Sequence, residues 1–335
     1  MELVRFPLKP MEHFHFGEIS LDEKSNISTT SSFPHSDTLF SSLVNNYAQI
    51  HEKKEVDKFV ESFEKGETTI SSMFYYLKID EHIIYFLPIP LSFYTQDINR
   101  NDYKRFKKIE FVSIAVWEEI KKANDFFDES ICLIIQNKFV VLKKEIDSDF
   151  AKKVEIYSKI TQPKVPIRWV DDNATIYFET DIEIADNSGL NSSVEVGYYF
   201  LYRSVNPIEM EEAIKILGLS GIGGGRSTGT GELSTPVVEI NNPFDMISSA
   251  NENYCSISYS IPTNEFEFKK FVLYETKIRG GRKMDIGKQQ FVRMVKEGAV
   301  LSDLAKGTLM QIGTDDQGNR VLRNGFCFLL PLKFN

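Results

Sequence analysis

The sequence predicts an α+β protein made of two halves, each mixing strands with a few helices. Three observations lead there. The chain has 335 residues, about twice the length at which one domain usually fills its core. Its 42% apolar and 26% charged residues are the balance of an ordinary globular protein. Apolar spacing also switches repeatedly between strand alternation and helical periodicity, on both sides of a proline-marked segment near residue 160. The 26 phenylalanines are enough for two cores.

The elements follow in order. Residues 1–9 alternate apolar and polar and read as a strand. After a Ser/Thr-rich stretch, Ser36 or Asp37 is expected to cap a helix whose face carries Leu39, Phe40, Leu43, Val44 and Tyr47. A second helix is expected over 55–64. Two apolar-aromatic runs, 69–79 and 82–89, flank Asp80-Glu81 as a hairpin. Residues 95–103 read as a loop, 107–113 as a short strand and 114–122 as a helix. Residues 131–142, broken by Gln136-Asn137-Lys138, give another hairpin. A basic linker with Pro163 and Pro166 follows Asp149, and the domain boundary is placed there: 1–160 and 161–335. In the second half, strands are expected within 165–184 and at 194–203, and a helix over 207–217. Further strands are expected at 233–240, 255–261, 271–278 and 325–334. This order suggests two tandem ferredoxin-like (RRM-like) domains with inserted hairpins.

Several classes drop out. No run approaches the ~18 apolar residues of a membrane span, and the first residues lack the charged-then-apolar pattern of a secretory signal. Cys132, Cys255 and Cys327 are odd in number and far apart. They exclude a disulfide framework or zinc knuckle and suit a reducing cytoplasm. The net charge of −9 means that any contact with nucleic acid must be local. Asp171-Asp172 and Asp315-Asp316 read as turns rather than metal ligands, because adjacent residues of a strand point apart.

The most informative segment is 218–231, GLSGIGGGRSTGTG, with seven of the chain's 19 glycines. Such a loop brings backbone N–H groups close to a ligand and forms an anion-binding concavity, and Arg226 adds a bidentate cation. A Walker P-loop fails here because Ser220 stands where its first glycine belongs and Arg226 where its lysine belongs. A Rossmann turn fails on polarity, since a helix precedes the glycines and a strand follows. A ligand-free surface loop is the plain alternative. The preferred reading is a cradle for a sugar-phosphate backbone. Residues 269–296 carry nine cations against Glu275 and Asp285, and read as a second strip facing nucleic acid, or else as a solvated charged face.

These segments resemble the RAMP superfamily, the RNA-binding ferredoxin-like proteins of CRISPR systems. The chain is most similar to the type III-A (Csm) effector subunit that holds the 5′ handle of the guide RNA (crRNA). The resemblance rests on His35-Ser-Asp-Thr-Leu-Phe-Ser-Ser-Leu43, Lys107-Lys-Ile-Glu-Phe-Val-Ser113, the glycine loop, the Arg279-Gly280-Gly281 turn, Met294-Val-Lys-Glu-Gly-Ala-Val300 and Arg320-Val-Leu-Arg-Asn-Gly-Phe326. It implies a groove between two domains for the crRNA handle. It further implies contacts with the large polymerase-like subunit and the backbone RAMP subunits, an indirect relation to target RNA, a cytoplasmic setting, and no cofactor or catalytic residue. In Pro166-Ile-Arg-Trp-Val-Asp171 the family often follows the aspartate with arginine. Here Asp172 stands there, leaving that contact absent or supplied by Arg168.

The expected RNA contacts are Gly221, Ile222, Gly223, Gly224, Gly225, Arg226, Ser227 and Thr228 in the loop. With them go His35, Ser36 and Thr38 at the first helix, then Arg168, Arg279, Gly280, Gly281 and Lys283. Phe14, Phe16 and Phe33 are candidate stacking platforms or, alternatively, core residues. Two rival functions differ in kind. One is a RAMP endoribonuclease processing precursor crRNA with His35 as general acid-base. The other is a protein adaptor that never touches RNA.

Overall fold

A computed structural model describes residues 1–18, 27–120, 122–165, 176–247, 253–280, 290–315 and 318–332. The strand Glu2–Pro7 pairs antiparallel with Val194–Arg203 along its whole length, from Glu2 opposite Tyr202 to Pro7 opposite Gly197. Val194–Arg203 pairs on its other side with Phe74–Ile79, and Val237–Val238 closes the far edge against Glu2–Pro7. The order of these four strands is therefore last, first, third, second in chain sequence. The hairpin partner His82–Pro88 and the strands Phe111–Ser113, Phe139–Leu142 and Cys132–Ile135 extend the sheet, and Thr69–Ile70 also pairs with Val194–Arg203.

Both hairpins foreseen in this half are present. Asp80 takes a positive φ of 51° in the two-residue turn between Ile79 and His82, and Gln136 and Asn137 take 50° and 58° in the three-residue turn between Ile135 and Phe139. The helices Ser36–Tyr47 and Pro207–Ser220 lie against each other. Leu39, Phe40, Leu43 and Tyr47 of one helix, and Met210, Ala213, Ile214 and Leu217 of the other, are buried. Val196 to Tyr202 is buried on both faces, so the sheet is covered twice. Tyr75 stacks on Tyr157 at 5.1 Å and 9°. The hydroxyls of this aromatic core find acceptors, as Tyr199 does on Phe86 O at 2.7 Å.

The expected linker is a strand. Tyr157–Lys164 pairs with Tyr177–Ile184 over eight residues, so the proposed cut at 160/161 runs through a ladder. Proline was read as a breaker, yet Pro163 sits in a strand with neighbours on one side only, where no N–H is needed. The residues after 161 also complete the first sheet through Val194–Arg203. The cap reading at the first helix is corrected too: the N-cap is His35, without a side-chain cap bond, because Ser36 and Asp37 are engaged elsewhere.

The last third is mostly β. Phe271–Leu273, Val300–Leu301, Asn253–Ser256 and Leu329–Leu332 form one sheet, and Thr276–Arg279/Val292–Val295 and Gly307–Thr314/Arg320–Phe326 form two hairpins. Among the described residues of 253–332 the only helix is Glu265–Phe268, so a second helix pair like the first is not seen there. Cys255, Ile257, Phe328, Leu330 and Leu332 join the same buried cluster as the first sheet. Further ties are Trp117 Nε1–H to Pro331 O at 3.2 Å, Ser72 N–H to Ile257 O at 3.0 Å and Leu91 N–H to Gly298 O at 2.8 Å. All three cysteines are free and buried. Among the described residues no helix is long and apolar enough to cross a membrane.

Candidate nucleic-acid interface

The helix Pro207–Ser220 stops at Gly221, whose N–H returns to Leu217 O at 2.9 Å. The loop is then pinched at its base, where Ile222 N–H donates to Gly231 O at 2.9 Å. It is also tied to the N-terminal segment. Gly224 N–H donates to His15 O at 2.8 Å, and Gly231 N–H to His13 O at 2.7 Å. Those histidines are held in turn by the long hairpin. His13 Nε2 lies 3.0 Å from Glu183 Oε2, and His15 Nδ1 lies 3.1 Å from Asp181 Oδ1.

Above this base the loop opens to solvent. Gly225 is left-handed (φ 73°, ψ 9°), and a 3-10 turn follows at Arg226–Thr228. A Cβ at Gly225 would overlap the Thr230 hydroxyl, and one at Gly223 (φ 93°) would come within 2.7 Å of His15 O, so glycine is required at both. Among the described residues, the N–H groups of Gly223, Gly225, Arg226 and Ser227 donate to no acceptor. A left-handed residue followed by right-handed ones, with its amides free, is the geometry of an anion nest. The Arg226 guanidinium reaches Asn46 Oδ1 at 3.3 Å and has no carboxylate partner among the described residues. The Thr228 hydroxyl donates to Gly225 O at 2.8 Å and keeps accepting capacity only.

Ile222 departs from expectation. It is 0% exposed and belongs to the main core, so its side chain anchors the loop and touches no ligand. Nearby, His15, Glu179 and Asp181 bring ligand-type atoms within 4.8 Å of one another. Lys164 pairs with Glu179 and lies 4.0 Å from Asp181, which supplies that cluster with positive charge.

The first-helix residues are corrected more deeply. His35 is 4% exposed. Its Nδ1 lies 2.8 Å from Glu297, its Nε2 2.8 Å from the Ser31 hydroxyl and 3.3 Å from the Tyr259 hydroxyl, and its ring stacks on Tyr259 at 4.1 Å. Ser36 Oγ accepts from Tyr259 N–H at 3.0 Å. Arg279, expected at the RNA, is 7% exposed and grips Asp37 through two bonds of 3.0 Å, while Arg323 adds a third at 2.6 Å. Thr38 accepts from Arg279 at 3.1 Å. Burial opposes ionisation of Asp37, but the two guanidiniums overcome it and hold the carboxyl down at about 2. Burial likewise opposes ionisation of Glu297, and His35 and Ser72 hold it below the usual carboxylate range. The helix start is thus a buried joint to the last third, with the polar groups of His35, Ser36 and Asp37 taken up by protein partners.

Of the six cations of 269–296 that lie among the described residues, five are in ion pairs. Lys269 pairs with Glu265, Lys270 with Asp303, Lys277 with Glu18, Arg279 with Asp37 and Lys296 with Glu275. Counting within 269–296 included Glu275 but not Glu18, Asp37, Glu265 and Asp303, which lie outside the strip. Gly280 is half-buried beside Arg279. Arg168, Gly281, Lys283, Asp171, Asp172 and Asp316 lie outside the described residues. Phe14 and Phe16 are buried and stacked on each other at 5.8 Å, so they are core. Phe33 is half-buried and borders a cleft of about 300 Å³ between the first sheet and the last third. Tyr94, Lys107 and Lys159 line it on one side, and Tyr259, Lys277 and Glu297 on the other.

With its glycine loop tied to His13 and His15 and its first sheet ordered last-first-third-second, the chain is similar to RAMP-type subunits of the Csm kind. The family model described as the CRISPR Csm4 C-terminal domain matches residues 249–332, and Csm4 is the family that the relatives share. The CRISPR system Cms protein Csm4 of Methanocaldococcus jannaschii is 29% identical over 293 residues, 78% of this chain and 73% of that protein. Its counterpart in Thermococcus onnurineus is 26% identical over 263 residues, 74% of this chain and 75% of that one. In fold, the chain is similar to one in the crystal structure of the Csm3-Csm4 subcomplex of the type III-A CRISPR-Cas interference complex. The TM-score is 0.72 at 22% identity, covering 99% of this chain and 100% of the other. A chain of the Csm1-Csm4 cassette in complex with pppApA matches at TM-score 0.54 and 19% identity, over 100% and 98%.

Proposed function

We propose that this chain is a non-catalytic, RNA-binding subunit of a type III-A CRISPR effector, holding the 5′ handle of the crRNA through its glycine loop. The observation that carries the reading is the exposed nest at Gly223–Ser227. Among the described residues, four N–H groups without an acceptor stand beside an arginine without a carboxylate partner, on a protein whose net charge of −9 otherwise repels polyanions. The named complexes of similar chains support contacts with a large polymerase-like subunit on one side and a backbone RAMP subunit on the other.

The strand order supports one ferredoxin-like unit over residues 2–238, interrupted by a long insertion at 80–193 and followed by a β-rich second unit. The cleft between them suits the inter-domain groove. The loop lies against His15 and Phe16, and Glu18 and Ser31 beside them line the cleft, so a short single strand has a path from one to the other. His35 serves this arrangement as a structural residue, with both ring nitrogens committed to protein partners.

The test is Gly224→Asp with Arg226→Glu. Gly224 has no positive φ, and a Cβ there meets the His15 ring at 3.3 Å, so that ring must shift by a few tenths of an ångström; an unshifted urea midpoint verifies that the pair folds. Filter binding of handle-bearing crRNA to the assembled complex is expected to weaken at least about tenfold, from repulsion and lost phosphate contacts. Unchanged retention of the guide refutes the reading.

A further inference from the structure

The glycine loop does not account for all of the positive surface. Residues 100–108, RNDYKRFKK, carry five cations against one carboxylate. Arg105 shares Asp102 at 3.5 Å. Arg100, Lys104, Lys107 and Lys108 are exposed and form no ion pair among the described residues. This is the reverse of the 269–296 segment, where five of the six described cations are in ion pairs.

The segment is also fixed in place. Phe106, in the short helix Tyr103–Phe106, is fully buried, with its ring stacked on Phe126 at 6.0 Å and edge-on to Tyr94 at 4.9 Å. The flanking cations are therefore presented outward from an anchored turn. Among them stands Tyr103, 48% exposed, with the Lys107 ammonium 4.7 Å from its ring centre. Lys107 and Tyr94 border the cleft between the two units, so the cationic turn begins where the cleft opens.

We propose that residues 100–108 form a track for single-stranded RNA leaving the cleft, with the unpaired lysines on phosphates and Tyr103 stacking a base. An acidic protein surface would need only the cations. The half-exposed ring set among them adds the flat apolar face that a base uses. This inference rests on the RNA-binding reading above and assigns it a second, separate surface.

The test uses the full chain and fluorescent single-stranded oligoribonucleotides of mixed sequence and increasing length, read by anisotropy over a salt series. Lys104→Glu with Lys108→Glu is expected to lower affinity for the longer strands about tenfold. It is also expected to flatten the log–log salt slope by roughly 1.4, two single-strand phosphate contacts at about 0.7 each. Tyr103→Ala is expected to cost about fivefold or more while leaving that slope unchanged. All three positions are exposed, and an unshifted urea midpoint verifies that the variants fold.

If these variants bind every length as the wild type does, the track is refuted, and loss of binding in Gly224→Asp/Arg226→Glu then leaves the loop reading standing. If the wild type binds no RNA, both readings fall. If the charge reversal spares RNA affinity but releases a co-purifying subunit, the surface is a protein contact and the track is again refuted.

Discussion

Replacing Asp37 by asparagine tests the strongest correction the structure makes, that Arg279 is a structural residue rather than an RNA contact. Asp37 is 3% exposed and accepts from Arg279 twice and Arg323 once, at 3.0, 3.0 and 2.6 Å. Asparagine keeps the shape and removes the charge, leaving two buried guanidiniums facing each other. An uncompensated buried charge costs about 3–5 kcal/mol, a large share of the ~5–15 kcal/mol that holds a typical domain together. Urea denaturation of the purified chain should show a loss of that size at unchanged slope. The triple change Asp37→Leu, Arg279→Met, Arg323→Met removes all three charges and should recover most of the loss, because apolar replacement of a buried ionic cluster is often near neutral. A single variant that loses less than ~1 kcal/mol, or a triple variant worse than the single, refutes the argument.

Acid should destabilise the chain through the same joint. The folded-state values of Asp37 and Glu297 both lie below the usual carboxylate range. Their contribution is therefore complete above about pH 5 and lost as pH falls towards 2. For Asp37, a fall from 3.8 to about 2 corresponds to about 2.5 kcal/mol. The urea midpoint should drop over that window, less steeply in Asp37→Asn, and a flat midpoint contradicts it. Ile222→Ala should cost about 2–4 kcal/mol from the cavity it leaves. It should also speed hydrogen exchange at the Gly224 and Gly231 amides, whereas unchanged protection there means that Ile222 does not anchor the loop.

What could be read along the chain was local. The glycine loop announced itself by composition, because backbone that must take positive φ and approach a ligand closely tolerates few other residues. The two hairpins and the helices Ser36–Tyr47 and Pro207–Ser220 followed from periodicity and turn chemistry, which act over a few residues. Ile222 was missed because a lone apolar residue among glycines carries no sign of whether it faces solvent or core. What tertiary structure decided was pairing at a distance. Val194–Arg203 joins Glu2–Pro7 across nearly two hundred residues, so a boundary drawn from prolines cut through a single sheet. Arg279 and His35 looked like ligand contacts until Asp37 and Glu297 arrived from far segments to claim them, while four of the five cations of 100–108 found no carboxylate among the described residues. A charge's neighbours in sequence set how much positive potential is available, but only the fold brings the carboxylates that cancel it or leaves it open to an anion.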